Sequence, residues 1–226
     1  MYPDGRGSQH YYSGSLGLPV GSRGLGVRVD GSQYRGTPDT EDGLPDDIEH
    51  KLHQDHLGIT LRDPLRLGND HALVASLGFY CTDQSDRYDN TVNGVHLQLD
   101  SDVRVGTVQM DWRDNSGGIS RALTVGIAHG FDMAGAGSSA RSNLADTSAF
   151  STPQVSFNRV NLDGSLVAPW PKGFNSVVAA TFQYSAQRLP SGEQIAMGGP
   201  RFGLAYDPGI TSGDRGWGAS YEINRR

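Results

Sequence analysis

The sequence has one cysteine in 226 residues, Cys81, so neither an intrachain disulfide nor a cysteine-built zinc or iron–sulfur site is open to it. Long apolar runs are missing too: nothing approaches the ~18 residues of a membrane-spanning helix. The opening residues MYPDGRGSQHYY carry neither a charged n-region nor an apolar h-region, and so do not read as a signal peptide. Basic charge is scarce and scattered, 19 Lys and Arg against 25 Asp and Glu for a net charge of −6, with no block of cations to track a phosphate backbone. A nucleic-acid partner is therefore not expected. No GxxxxGK[ST] loop is present to cradle a nucleotide. Helical periodicity is nearly absent; only residues 45–56 have helix-like composition.

Two features are abundant: glycine, at 31 residues, and alternation. Residues 175–187 place Val178, Ala180, Phe182, Tyr184 and Ala186 on one parity, with Thr181, Gln183 and Ser185 on the other. Residues 158–168 repeat the pattern, with Val160, Leu162 and Leu166 opposed to Arg159, Asn161, Asp163 and Ser165. It recurs through Leu25/Val27/Val29, Leu57/Ile59/Leu61, Leu73/Ala75/Leu77/Phe79, Leu123/Val125/Ile127 and Trp217/Ala219/Tyr221/Ile223. Successive strand side chains point to opposite faces, so each segment reads as a strand with one apolar and one polar face. The stretch 93–112 changes phase, from Val95, Leu97 and Leu99 to Val108, Met110 and Trp112. It reads as one long strand with a bulge, or as a broken pair. The total is about nine strands.

Connection lengths add an ordering. Short turns at 18–24, 66–70, 115–118 and 169–173 alternate with longer connections at 36–53, 82–91, 132–153 and 188–216. A meander with short turns at one end and long loops at the other is the pattern of outer-membrane barrels. Two rival readings share part of it: a small-solute porin, and a soluble all-β binding protein whose apolar rows would pack on a second sheet.

Several residues invite sharper chemistry. His50, His53 and His56 could ligate a metal, but their spacing puts them on alternating faces of a strand, and a surface loop is the better reading. GAGSSA at 135–140 matches a dinucleotide fingerprint on paper, yet no apolar helix follows it. The acidic stretch 39–47 lacks calcium-loop spacing and reads as a solvated loop. Nothing positions two carboxylates for glycoside cleavage. Cys81, beside Phe79 on an apolar face, reads as packing. No catalytic residue, metal site or cofactor is assigned.

The run LPSGEQIAMGGPRFGLAYDPGITSGDRGWGASYEI at 189–223 resembles the haemolysin secretion/activation proteins, the outer-membrane transporters of two-partner secretion. The family's pattern is a Ser/Glu-Gln step, Gly-Gly-Pro, a Val-Arg-Gly-Tyr type tetrad, Pro-Gly, and Ser-Gly-Asp-Arg-Gly. Here these read Ser191, Glu193 and Gln194; Gly198, Gly199 and Pro200; Gly203, Leu204, Ala205 and Tyr206, with Asp207 following; Pro208 and Gly209; and Ser212, Gly213, Asp214, Arg215 and Gly216. The segments SLGLPVGSRGLGVRV, LGITLRDPL and VRVGTVQMDWRDNSGG also resemble stretches of that family.

The resemblance implies an all-β antiparallel meander, part of a sixteen-stranded transmembrane barrel preceded by two periplasmic domains. Residues 1–226 then form a partial barrel domain, about strands four to twelve. Residues 188–216 become the loop folded back into the lumen, and the periplasmic domains are absent. Arg159, Asn161, Asp163, Gln183 and Ser185 are expected to face the lumen, and Val160, Leu162, Phe182 and Tyr184 the lipid. The implied activity is transport of an unfolded haemolysin or adhesin across the bacterial outer membrane, with no enzyme chemistry. The implied partners are that exoprotein and outer-membrane lipid, and the complete barrel is expected to be a monomer. The tetrad's arginine, which in the family reaches a wall aspartate, is replaced by Leu204, and the following glycine by Ala205. A nine-stranded piece would leave two open edges, so the chain is expected to be a fragment.

Overall fold

The structure is a computed structural model that describes residues 9–37, 45, 47–144, 152–199, 202–203, 209 and 211–225. Alternating β-branched and aromatic residues form β1 (His10–Val20), β2 (Leu25–Gly36), β3 (Ile48–Leu67), β4 (His71–Asn90), β5 (His96–Asp114), β6 (Ser120–Gly130), β7 (Gly137–Ser142), β8 (Asn158–Trp170), β9 (Phe174–Ser185), β10 (Ile195–Met197), β11 (Thr211–Gly213) and β12 (Gly216–Arg225). The main sheet is antiparallel and runs β1-β2-β3-β4-β5-β6-β8-β9-β12; β7 pairs with β5, and β10 and β11 form a separate two-stranded ribbon. The turn after β8 is closed by Lys172 and Gly173 at φ 64° and 78°, the left-handed backbone that tight hairpins need.

Register sets the faces. One row crosses eight strands through Leu18, Val27, Leu61, Leu77, Val108, Ile127, Val160 and Tyr184, each opposite the next. A neighbouring row continues Val125, Leu162, Phe182 and Trp217. Leu77, Val108 and Ile127 are 58%, 57% and 55% exposed. A soluble sandwich would cover such a face, because each large apolar side chain left in water forgoes about 1.5–3 kcal/mol. Among the described residues the only other sheet is the β10–β11 ribbon, and it lies on the opposite face. That opposite face is polar, and the small core sits there: Val103, Val105, Ala128, Phe157 and Leu189, with Tyr80 and Val155 packed against them.

Three local expectations are corrected. Residues 48–56 are strand, not helix: Ile48 pairs with Asn90 and His56 with Thr82 in one ladder, so sheet pairing overrides a helix-tolerant composition. The stretch expected as a connection at 82–91 is, through Asn90, the upper part of β4, and the connection beyond it is only the short turn 91–95. Its polar residues sit above the apolar rows, where neither face of the strand needs to be apolar.

Last, β5 is one strand whose ladder to β4 runs without a register shift; the irregularity in this part of the sheet lies at Pro64/Arg66 in β3. The phase change in β5 is chemical. Below Gly106 the even residues Val108, Met110 and Trp112 supply the apolar face; above it they become Arg104, Asp102, Asp100 and Gln98. There the odd residues turn apolar, and Val103 and Val105 are buried on the other face. Strand β6 stops at Gly130, opposite Val105, and β7 takes over as the partner of the upper half of β5.

Candidate functional site: a loop docked on the polar face

After β9 the chain folds back on the polar face. Leu189, almost fully buried, enters the core, and Pro190 opens a single 3-10 turn, Ser191–Glu193, closed by Glu193 N–H to the Pro190 carbonyl at 2.9 Å. The β10–β11 ribbon follows, pairing Ile195 with Gly213 and Met197 with Thr211. Asp214 ties the two arms of the loop together at its base: its Oδ1 accepts from Leu189 N–H at 2.8 Å and from Gln194 Nε2 at 3.3 Å. Ser212 Oγ donates to Gln194 Oε1 at 2.9 Å.

Glu193 is the centre of the contact with the sheet. Its carboxylate, 7% exposed, accepts both bonds that Tyr80 Oη makes, at 2.7 and 2.8 Å, and pairs with Arg159 Nη1. Its carbonyl accepts from Arg159 Nη1 and from Gln183 Nε2, both at 3.0 Å. Asn161 Nδ2 donates to Gln183 Oε1 at 2.8 Å, which leaves the Gln183 amide nitrogen aimed at the loop. Gln84 Nε2 donates to Ser191 Oγ at 2.8 Å. Burial raises the Glu193 carboxyl above its ordinary value of 4.5, and the nearby Arg159 charge pulls it part of the way back.

The far side of the loop rests on β12. A Cβ on Gly216 would lie 3.2 Å from Ile195 Cγ2, and one on Gly218 would lie 3.1 Å from Phe202 Cγ. These glycines keep that wall bare where the loop packs.

Arg159 and Gln183 thus meet at Glu193, Asn161 backs Gln183, and Asp163 and Ser185 share their parity, Ser185 being buried. Ser212 and Gly213 lie in β11; Asp214 and Arg215 follow, and Gly216 opens β12. Gly198, Gly199, Gly203 and Gly209 all have positive φ, at 110°, 80°, 145° and 82°. Pro200, Leu204, Ala205, Tyr206, Asp207 and Pro208 lie outside the described residues. Three participants carry no sequence signal of their own. Tyr80 and Gln84 sit unremarkably in an alternating strand, and Glu193 reads only as part of a motif.

The surface-loop reading of the histidines is corrected: all three lie in β3, paired with β4, with His50 and His56 on one parity and His53 on the other. His50 Nε2 lies 2.9 Å from Asp86, His53 Nε2 lies 3.1 Å from Asp55, and His56 Nδ1 lies 2.9 Å from Thr82 Oγ1. Residues 137–140 of the glycine–serine stretch belong to β7, paired on β5.

An antiparallel meander with one exposed apolar face, and a polar face that carries a folded-back loop, is a sector of a transmembrane β-barrel wall. The sequence model described as haemolysin secretion/activation protein ShlB/FhaC/HecB matches residues 3–226, and the chain belongs to that family. Among solved structures the chain is similar to CdiB from Escherichia coli, with a TM-score of 0.68 at 16% identity over 95% of this chain and 38% of that one. It is also similar to CdiB from Acinetobacter baumannii, with a TM-score of 0.61 at 17% identity over 97% of this chain and 37% of that one. The chain therefore spans well under half the length of either neighbour. No curated protein matched it in a sequence comparison.

Proposed function

We propose that the chain is the central wall, strands four to twelve, of an outer-membrane translocator of two-partner secretion. In this reading the barrel carries one unfolded haemolysin- or adhesin-type exoprotein outward, as a monomeric barrel and without enzymatic chemistry. The apolar rows face lipid. The opposite face, with Arg159, Asn161, Asp163, Gln183 and Ser185, lines the lumen, where polar side chains let an extended polypeptide slide without sticking. Residues 188–216 are the lumen loop, and the run from Gly198 to Gly216 is its family motif.

The observation that carries the reading is the loop docked on the polar face by a buried carboxylate. A small-solute porin has no need of that sequence, and the family match supports the transporter. The loop occupies space that a substrate needs, so it acts as plug and guide. Deleting 188–216 from a complete barrel that contains this wall is expected to raise its conductance in planar bilayers and abolish exoprotein release from cells. Normal secretion without the loop would refute the transporter reading.

A further inference from the structure

The tetrad position that supplies the family's loop arginine is Leu204, so a charge there cannot hold this loop to the wall. The structure holds it elsewhere, and with the charges reversed: the carboxylate is on the loop and the cation on the wall. Arg159 Nη1 engages both the carboxylate and the carbonyl of Glu193. Tyr80, on β4 and three strands from Arg159 along the main sheet path, caps the same carboxylate from the other side. A charge pair this far out of water is strongly destabilised when one partner is removed, because the other is left buried and unpaired. Arg159 is especially exposed to that loss, since its buried Nε has no hydrogen-bond partner among the described residues.

Glu193 also sits at the point where the loop base turns. It ends the 3-10 turn that begins just after the buried Leu189, and the β10 arm starts two residues later. A contact there governs both arms, because Asp214 ties the β11 end back to Leu189 and Gln194.

We infer that Arg159, Glu193 and Tyr80 form the latch that keeps the loop base docked, in place of the missing tetrad arginine. All three are positioning residues. The latch bridges β4 and β8, and releasing it frees the ribbon without breaking any pairing of the main sheet. This deepens the transport reading by naming what controls the loop, but it concerns docking alone and can fail independently of transport.

The test is amide hydrogen exchange on the full chain in lipid vesicles, resolved for 189–197, 211–213 and the strands β8 and β9. Arg159→Ala and Glu193→Ala should each speed exchange in the loop segments on the order of a hundredfold, with β8 and β9 unchanged. The double variant should be no worse than either single one, as expected for two halves of one contact. Tyr80→Phe, which leaves the wall's shape intact, should speed loop exchange about tenfold and keeps the test decisive if the alanine variants fail to fold. Unchanged loop exchange in Tyr80→Phe, additive effects in the double variant, or equal deprotection of β8 and β9 would each overturn the latch.

Discussion

Glu193 is the residue whose environment departs furthest from its sequence. Undocked, its carboxyl has the ordinary value near 4.5; docked, burial raises it despite Arg159. Docking therefore takes up a proton over the interval between those two values. The sign follows: docking is strongest below the ordinary value and weakens as the pH rises through the docked one. Closure of the pore by the loop should accordingly tighten as a bilayer recording is acidified through this interval. Glu193→Gln should abolish that dependence while still offering acceptors to Tyr80 and Arg159. A pH response that survives in Glu193→Gln would place the titrating group elsewhere. Gly218 makes a steric prediction at the same scale. With Phe202 only 3.1 Å from a Cβ there, Gly218→Leu should weaken loop docking by about 1–3 kcal/mol through overpacking. The β9–β12 ladder should remain intact, because its register depends on backbone pairing. Loop and ladder exchange rates, read in one experiment, separate the two effects.

At the scale of elements, alternation made most strands legible because a two-faced strand needs only local sequence to declare itself. The segments 158–168 and 175–187 lie within or around β8 and β9, and their polar and apolar parities fall on the faces that alternation assigns. Where the surroundings of a strand change along its length, the same logic misled. The upper half of β5 inverts its apolar parity and so imitates a bulge, although its backbone is continuous. The upper half of β4 is polar on both parities and so imitates a loop. The loop site was legible only as a motif. Glu193 belongs to a readable run, but its partners Tyr80 and Arg159 are separated from it by 113 and 34 residues in sequence, and no local pattern links them. The inversion in β5 has a measurable consequence. Val108→Arg, on the apolar face near mid-strand, should cost about 2–4 kcal/mol of stability in a bilayer. Asp102→Arg, of the same parity but above the rows, should cost little. Urea titration of the two variants in lipid vesicles checks the pair, and equal costs would mean that the apolar rows do not face lipid.

For the molecule as a whole, the apolar rows, the polar face and the docked loop fit together only if the sheet is barrel wall. Water could not tolerate the first face, and lipid could not tolerate the second. Length parity in the connections pointed the same way without any side-chain detail, with 91–95 the exception, a short turn at the end of the long connections: the connection 188–216 folds back over the polar face, while the turn at 171–173 stays tight. What joins this architecture to transport is the claim that the polar face contacts a passing polypeptide. The most direct measurement places a photocrosslinking amino acid at Asn161 or at the neighbouring Leu162, in a complete barrel arrested during export. The predicted result is an adduct with the exoprotein from Asn161 and with lipid alone from Leu162. Exoprotein adducts from Leu162, or none from Asn161, would contradict the account.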